Sequence, residues 1–77
     1  MIAVKFFGID DWNRPVFKSE YEFYGALNKL FDGQATEKEV LEKVTDEDLV
    51  WFGSEFNCEP IGQHAPWVKI IRGNDEK

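Results

Sequence analysis

The chain is poor in the residues from which active sites and metal sites are most often built, with one cysteine, one histidine and one methionine among 77 residues. A lone cysteine cannot form a disulfide within the chain, and small domains of oxidising compartments usually carry several. The cysteine content therefore predicts a cytoplasmic protein. The N-terminal apolar run is interrupted by Gly8 and two aspartates, so it is too short for a signal segment or a membrane span.

Positive charge is also scarce, because nine Lys and Arg residues stand against fifteen Asp and Glu residues, which gives a formal charge of −6. A negative chain is repelled by phosphate backbones and by anionic lipid surfaces. We therefore expect no direct nucleic-acid partner and no membrane partner. The net charge predicts that the partner is neutral or basic.

The few reactive side chains form no recognisable catalytic or metal-binding pattern. Cys58 and His64 lie six residues apart, a pairing that would suit a thiolate nucleophile, but no third orienting group accompanies them. Their spacing also matches no zinc motif. Asp10, Asp11 and Asn13 resemble the start of a calcium loop but lack its later glycine and glutamate. We therefore predict that the protein is not an enzyme and binds no metal or cofactor.

Aromatic residues are abundant, and three doublets of large rings are each followed by glycine: Phe6-Phe7-Gly8, Phe23-Tyr24-Gly25 and Trp51-Phe52-Gly53. Neighbouring side chains of a β-strand point to opposite faces of the sheet. Each doublet thus predicts one ring on each face, and the glycine allows the strand to bend or bulge beside it. One short helix covers one face only. The rings of the other face then pack under loops such as 54–66, bind a partner or remain in water.

Residue patterns along the chain predict five strands and one helix. Strands are predicted at 2–9, 16–18, 21–25, 49–53 and 67–72, where β-branched and aromatic residues dominate. A capping box of Thr36 and Glu39 opens the helix predicted at 35–44, and Thr45 to Asp48 are expected to form a tight turn. The fold class is α+β, a small antiparallel sheet of four or five strands in the order β-β-β-α-β-β with one short helix packed on one face. Residues 1–72 form a single domain, and 73–77 a solvated tail.

Residues 20–31 admit a second interpretation, because their apolar residues also recur at helical spacing. Ser19 and Glu22 would form the capping box of this helix. Gly25 would then lie inside a helix at a cost of about 1 kcal/mol, and the alternating aromatic pattern is typical of a strand. We favour a strand followed by an irregular loop.

Two connections are expected to fix the packing of the sheet. In the first, "DDWNRP", Arg14 is expected to pair with Asp10 or Asp11 while Trp12 packs under the turn. The alternative is an exposed Trp-Arg tip, since these residue types are enriched at binding hot spots. In the second, 54–66, Phe56 and Ile61 are expected to attach the loop to the core.

Six carboxylates fall within twelve residues of the helical region, at Glu37, Glu39, Glu42, Asp46, Glu47 and Asp48. Such a cluster is usually a solvated face. It also allows a hypothesis in which the protein imitates the phosphate backbone and occupies the binding site of a nucleic-acid-binding protein.

The segments "GIDDWNRPVFK" and "LVWFGSEFNCEPIG" resemble short proteins without an assigned function from mobile and conjugative elements of gut bacteria. The resemblance covers about a third of the chain. It implies an accessory protein of such an element, with host-directed binding or anti-restriction activity, and it assigns a role to no residue.

We therefore predict a non-catalytic protein-binding module whose partner is another protein or a second copy of the chain. Binding is predicted through an aromatic sheet face or through the hairpin tip at 10–15, with the candidate residues Phe7, Trp12, Arg14, Tyr24 and Trp51. The alternatives are an acidic decoy of the anti-restriction type and, third, an enzyme built on Cys58 and His64.

Overall fold

The computed structural model describes residues 2–60 and 67–72, which fold into a five-stranded sheet with one α-helix. An α+β fold is thus confirmed. The chain forms β1 (Ile2–Ile9), β2 (Pro15–Lys18), β3 (Phe23–Ala26), α1 (Glu37–Lys43), a 3-10 helix (Asp46–Asp48), β4 (Leu49–Gly53) and β5 (Val68–Ile70). The predicted tail at 73–77 and Ile61 lie outside the described residues. No helix in the described ranges is long and apolar enough to cross a bilayer.

The strands lie in the order β4-β3-β2-β1-β5, so β5 pairs with β1 at the edge opposite β4. Strands β1 to β4 pair antiparallel, whereas β5 runs parallel to β1. The sheet is therefore mixed, and the prediction of a purely antiparallel sheet is wrong. Strand direction reverses at each connection, so the fifth strand has the direction of the first. Pairing with β1 rather than with β4 makes that contact parallel.

Helix α1 begins where the sequence predicted, because the Thr36 side chain accepts from the Glu39 N–H and the Glu39 carboxylate accepts from the Thr36 N–H. Val40 and the C-cap residue Val44 are buried against one face of the sheet. The packing of a short helix on one face is thus confirmed. The predicted turn after it is a 3-10 helix, whose Asp46 carboxylate accepts from the Ile70 N–H and covers part of the β5 edge.

The strand interpretation of residues 20–31 is confirmed for Phe23–Ala26. Ser19 and Glu22, which also suggested a helix cap, close the two-residue turn between β2 and β3. The Ser19 hydroxyl accepts from the N–H groups of Tyr21 and Glu22, and the Ser19 N–H donates to the Glu22 carbonyl at 2.8 Å. The same side-chain chemistry serves helix caps and tight turns, so it does not distinguish them.

All three aromatic doublets place one ring on each face, as predicted. On the helix face, defined as the face that α1 covers, Phe6, Phe17, Tyr24 and Trp51 are successive partners across β1, β2, β3 and β4. Phe6 and Phe17 make an edge-to-face contact with centroids 5.7 Å apart. This row joins Val40, Val44 and Leu49 in the larger core cluster.

The other rings, Phe7, Phe23 and Phe52, point to the opposite face, which we call the loop face because residues 54–60 pack on part of it. Phe7 and Phe52 have no direct partner on the neighbouring strand, since each is the extra residue of a bulge. A glycine follows each bulged ring, and Gly53 has φ 122°, in the region that favours glycine.

Candidate functional site

The part of the loop face formed by β3, β4 and Val16 of β2 is a second small core. Val16, Phe23 and Phe52 are buried there, and Leu27, Val50, Phe56 and Cys58 pack against them. The Cys58 thiol donates to the Phe52 carbonyl at 2.9 Å, which ties the loop to β4. The expected attachment of the loop through Phe56 is therefore confirmed.

The hairpin tip between β1 and β2 is organised by a buried carboxylate. Asp10 Oδ1 accepts from the N–H groups of Trp12 and Arg14 at 3.0 and 2.8 Å, while Oδ2 accepts from Arg14 Nε at 2.6 Å. Arg14 is 4% exposed and Asp10 is equally buried. Asn13 adopts φ 63°, a conformation that asparagine tolerates. Of the two predicted pairings, Arg14 thus pairs with Asp10.

The Arg14 guanidinium also joins the tip to the loop face. Its carbon lies 4.4 Å from the centroid of the Trp12 ring system and 4.2 Å from that of Phe52, so the cation lies over both rings. Arg14 Nη2 donates to the Cys58 carbonyl at 3.1 Å. The Asp11 N–H donates to Asn57 Oδ1, a second link between the tip and the loop. The tip and residues 56–58 therefore form one connected structure.

Two large rings remain accessible at this connected structure: Trp12 in the tip and Phe7, which packs on Phe56. Each is 53% exposed. Phe7 packs against Phe23 and Phe56 with centroid distances of 5.1 and 5.2 Å. Trp12 packs against Arg14, whose guanidinium donates a hydrogen bond to the Cys58 carbonyl. Both rings are thus held in place on one side while the other side faces solvent.

The predicted binding residues divide into three environments. Phe7 and Trp12 are exposed, Arg14 is buried under Trp12, and Tyr24 and Trp51 lie on the helix face. The three sheet residues of the predicted set therefore do not share a face, because Tyr24 and Trp51 point to the helix face and Phe7 points to the loop face. The indole N–H of Trp51 is buried without a hydrogen-bond partner among the described residues.

Sequence reasoning missed three lysines that share the loop face with Phe7, namely Lys5, Lys18 and Lys69. Lys5 lies two residues before Phe7 and faces Lys18 directly across β1 and β2. Lys69 lies between Val68 and Ile70, which are both buried on the helix face, so its side chain points to the loop face. The two-residue period of a strand would have placed Lys5 beside Phe7.

The remaining candidates have structural surroundings or lie elsewhere. His64, the predicted partner of Cys58, lies outside the described residues. Three of the six clustered carboxylates have local partners: Glu39 caps α1, Asp46 binds Ile70, and Asp48 accepts from Thr45 and lies 4.0 Å from Lys29 Nζ. Within residues 2–60 and 67–72, no three potential metal ligands come together.

A separate groove of about 520 Å³ lies beside the turn between β2 and β3. It is lined by Ile2, Ala3, the four residues 19–22 and Tyr24. Tyr21, at 79% exposure, and the carboxylates of Glu20 and Glu22 give this groove an acidic rim. It therefore differs in charge from the surface that carries Phe7.

Tyr24 predicts a measurable pH dependence of stability. Burial first, and then the charge of Glu22 and a hydrogen bond to it, raise the pKa of Tyr24 above its ordinary value of 10.0. The unfolded chain ionises this phenol at a lower pH than the folded chain does. Its stabilising contribution is complete below pH 10 and is lost as the pH rises through the folded pKa.

We therefore expect the free energy of unfolding to fall more steeply above pH 10 in the wild type than in Tyr24→Phe. Urea titrations across that range would measure the difference. Glu22→Gln should make the fall shallower without abolishing it, because burial remains. Identical profiles for the wild type and Tyr24→Phe would contradict this assignment.

Comparisons of the chain with protein-family models, with curated proteins and with solved structures returned no match.

Proposed function

We propose that this protein is a non-catalytic module that binds another protein through the exposed part of its loop face. The surface consists of Phe7, Trp12 and the loop-face residues of β1, β2 and β5. The observation that supports it best is the pair of large rings, each half exposed and each held from beneath by packed side chains.

Both the apolar area of the two rings and their fixed positions favour binding. Large rings dominate interface energetics, and rings that are already fixed lose little conformational entropy on binding. Phe7 is fixed by Phe23 and Phe56, and Trp12 by Arg14. A partner that covered both rings would gain their burial at small ordering cost.

The buried part of the predicted site supports this role indirectly. Arg14 does not reach solvent, so it acts on binding by positioning Trp12. The resemblance to proteins of mobile elements favours a protein of the bacterial host as the partner. The acidic-decoy hypothesis has less support, because Glu39, Asp46 and Asp48 are engaged in local structure.

Site-specific photo-crosslinking would test the proposal. A photoreactive phenylalanine analogue is placed at Phe7, at Trp12 or at Tyr21 in living bacterial cells. We expect positions 7 and 12 to crosslink to the same protein. We expect Tyr21, which is more exposed but lines the separate groove, not to capture that protein. Equal yields of one adduct at all three positions, or no adduct at positions 7 and 12, would contradict the proposal.

Phe7→Thr should then weaken binding of the purified partner about tenfold or more, as expected for an anchoring ring. Threonine suits a strand, and Phe7 is half exposed, so the free energy of unfolding should fall by only about 1 kcal/mol. Isothermal titration calorimetry and urea denaturation would measure the two effects. An unchanged affinity would contradict the role of Phe7. If the adducts join two copies of the chain, sedimentation should show a dimer that Phe7→Thr dissociates.

A further inference from the structure

Lys5, Lys18 and Lys69 are the only charged residues in the five strands, and all three lie on the loop face. The strands contain no carboxylate on either face. The acidic residues of the described chain lie instead in the turns, in the loops and in the helical region. Although the whole chain carries a charge of −6, the strand part of this face is locally positive.

These three lysines, which we call the lysine row, are not neutralised within the described residues. The ion pairs found there join Arg14 to Asp10 and Lys29 to Asp48. Lys5 and Lys18 face each other directly, an arrangement of like charges that destabilises a strand pair. An anionic group placed between them would relieve this repulsion.

The row is also continuous with the exposed aromatic surface. Lys18 Nζ lies 5.3 Å from the centroid of Phe23, and Phe23 contacts Phe7. Lys5 lies on the same strand and the same face as Phe7, two residues away. An extended segment lying over this face would therefore meet ammonium groups and an exposed ring within a few residues of its length.

We propose that the partner presents to the loop face a short extended segment that carries Asp or Glu side chains and at least one large apolar side chain. Its carboxylates pair with the lysine row, and its apolar side chain packs on Phe7. The inference rests on the proposed function and adds the chemistry of the partner. It replaces the neutral or basic partner expected from net charge, because contact energies depend on local charge once salt screens the distant carboxylates.

An acidic protein segment fits this face better than single-stranded nucleic acid does. Sites for single strands combine a groove of positive charge with several stacking rings. Here the three lysines lie on a sheet face with two half-exposed rings, Phe7 and Trp12, and the net charge of −6 repels a long polyanion. A segment with two or three carboxylates needs only the lysine row.

Selection of random short peptides displayed on phage against the immobilised full chain would test the inference. We expect the enriched peptides to combine Asp or Glu with a large apolar residue. The consensus peptide is then synthesised and titrated by fluorescence anisotropy. Replacing the lysine row by glutamine should weaken its binding about tenfold or more, and added salt should weaken it as well.

The chain supplies a matched control, because the other described lysines, Lys29, Lys38 and Lys43, are also three in number. Their replacement by glutamine changes the net charge equally and should alter the affinity less than about twofold. Equal losses in the two triple variants, a neutral or basic consensus, or tighter binding of oligothymidine would overturn the inference. Binding of a non-acidic peptide that still depends on Phe7 would overturn it and leave the proposed function standing, whereas failure of the crosslink at Phe7 would overturn the proposed function itself.

Discussion

Gly25→Ala should unfold this protein or lower its free energy of unfolding by at least about 3 kcal/mol, the scale of losing a buried phenylalanine side chain. A Cβ at position 25 would overlap the Phe52 ring, which lies directly over this glycine and is 2% exposed. The ring cannot move aside freely, because Arg14 lies over it and the Phe52 carbonyl accepts a hydrogen bond from the Cys58 thiol. Urea denaturation followed by tryptophan fluorescence would measure the loss.

Gly8→Ala is the matched control for this substitution. Gly8 also lies in a strand, but a Cβ there would lie 4.0 Å from the Phe56 ring, an ordinary contact. Alanine should therefore be tolerated at position 8 or raise the free energy of unfolding by up to about 1 kcal/mol, since glycine is unfavourable within strands.

A double-mutant cycle would identify the Phe52 ring as the cause of the loss. In a Phe52→Leu background, the added Gly25→Ala should cost far less than in the wild type. The same cost in both backgrounds would contradict the proposed contact between Gly25 and Phe52.

Asp10→Asn should lower the free energy of unfolding by about 3–5 kcal/mol, a large part of the roughly 4–12 kcal/mol expected for a domain of this size. Asparagine keeps an oxygen for the N–H groups of Trp12 and Arg14, so the substitution removes chiefly the charge. The Arg14 guanidinium would then remain buried without its counter-ion. Thermal and urea denaturation would both measure the effect.

Asp11→Asn provides the control, because Asp11 is adjacent, exposed and linked to the rest of the protein through its backbone N–H. It should change stability by less than about 0.5 kcal/mol. If Asp10→Asn were as stable as Asp11→Asn, the buried ion pair would not be what holds the tip to the loop face.

The fold could be predicted where a single local pattern determined the structure. The capping box of Thr36 and Glu39 and the apolar positions Val40 and Val44 fixed α1, and strand alternation placed the rings of each doublet on opposite faces. These features depend on neighbours in the sequence. Local geometry is sufficient to define them.

The parallel pairing of β5 with β1 could not be predicted in the same way, because it depends on which edge the chain reaches after β4. Local patterns also did not show that Phe7 is the one exposed ring among the six rings of the doublets. Tyr24 and Trp51 are covered because α1 packs on their face, whereas Phe7 is left half exposed because residues 54–60 cover the loop face only in part. Both outcomes are set by tertiary packing, which a two-residue period does not encode.

The lysine row was accessible to sequence reasoning but obscured by the net charge. Lys5 precedes Phe7 by two residues. Lys18 follows the buried Phe17, and Lys69 lies between two buried apolar residues of β5. A count of charge over the predicted strands, rather than over the whole chain, would have drawn attention to these lysines.

Paramagnetic broadening of the aromatic NMR signals by a soluble gadolinium chelate, combined with sedimentation of the same sample, would test whether Phe7 and Trp12 are accessible to a partner. We expect strong broadening of the Phe7 and Trp12 ring signals and protection of Phe17 and Phe52 in a monomer. Protection of Phe7 and Trp12 equal to that of Phe52 in a sample that sediments as a monomer would contradict it, because the proposed surface would then offer no accessible ring to a partner.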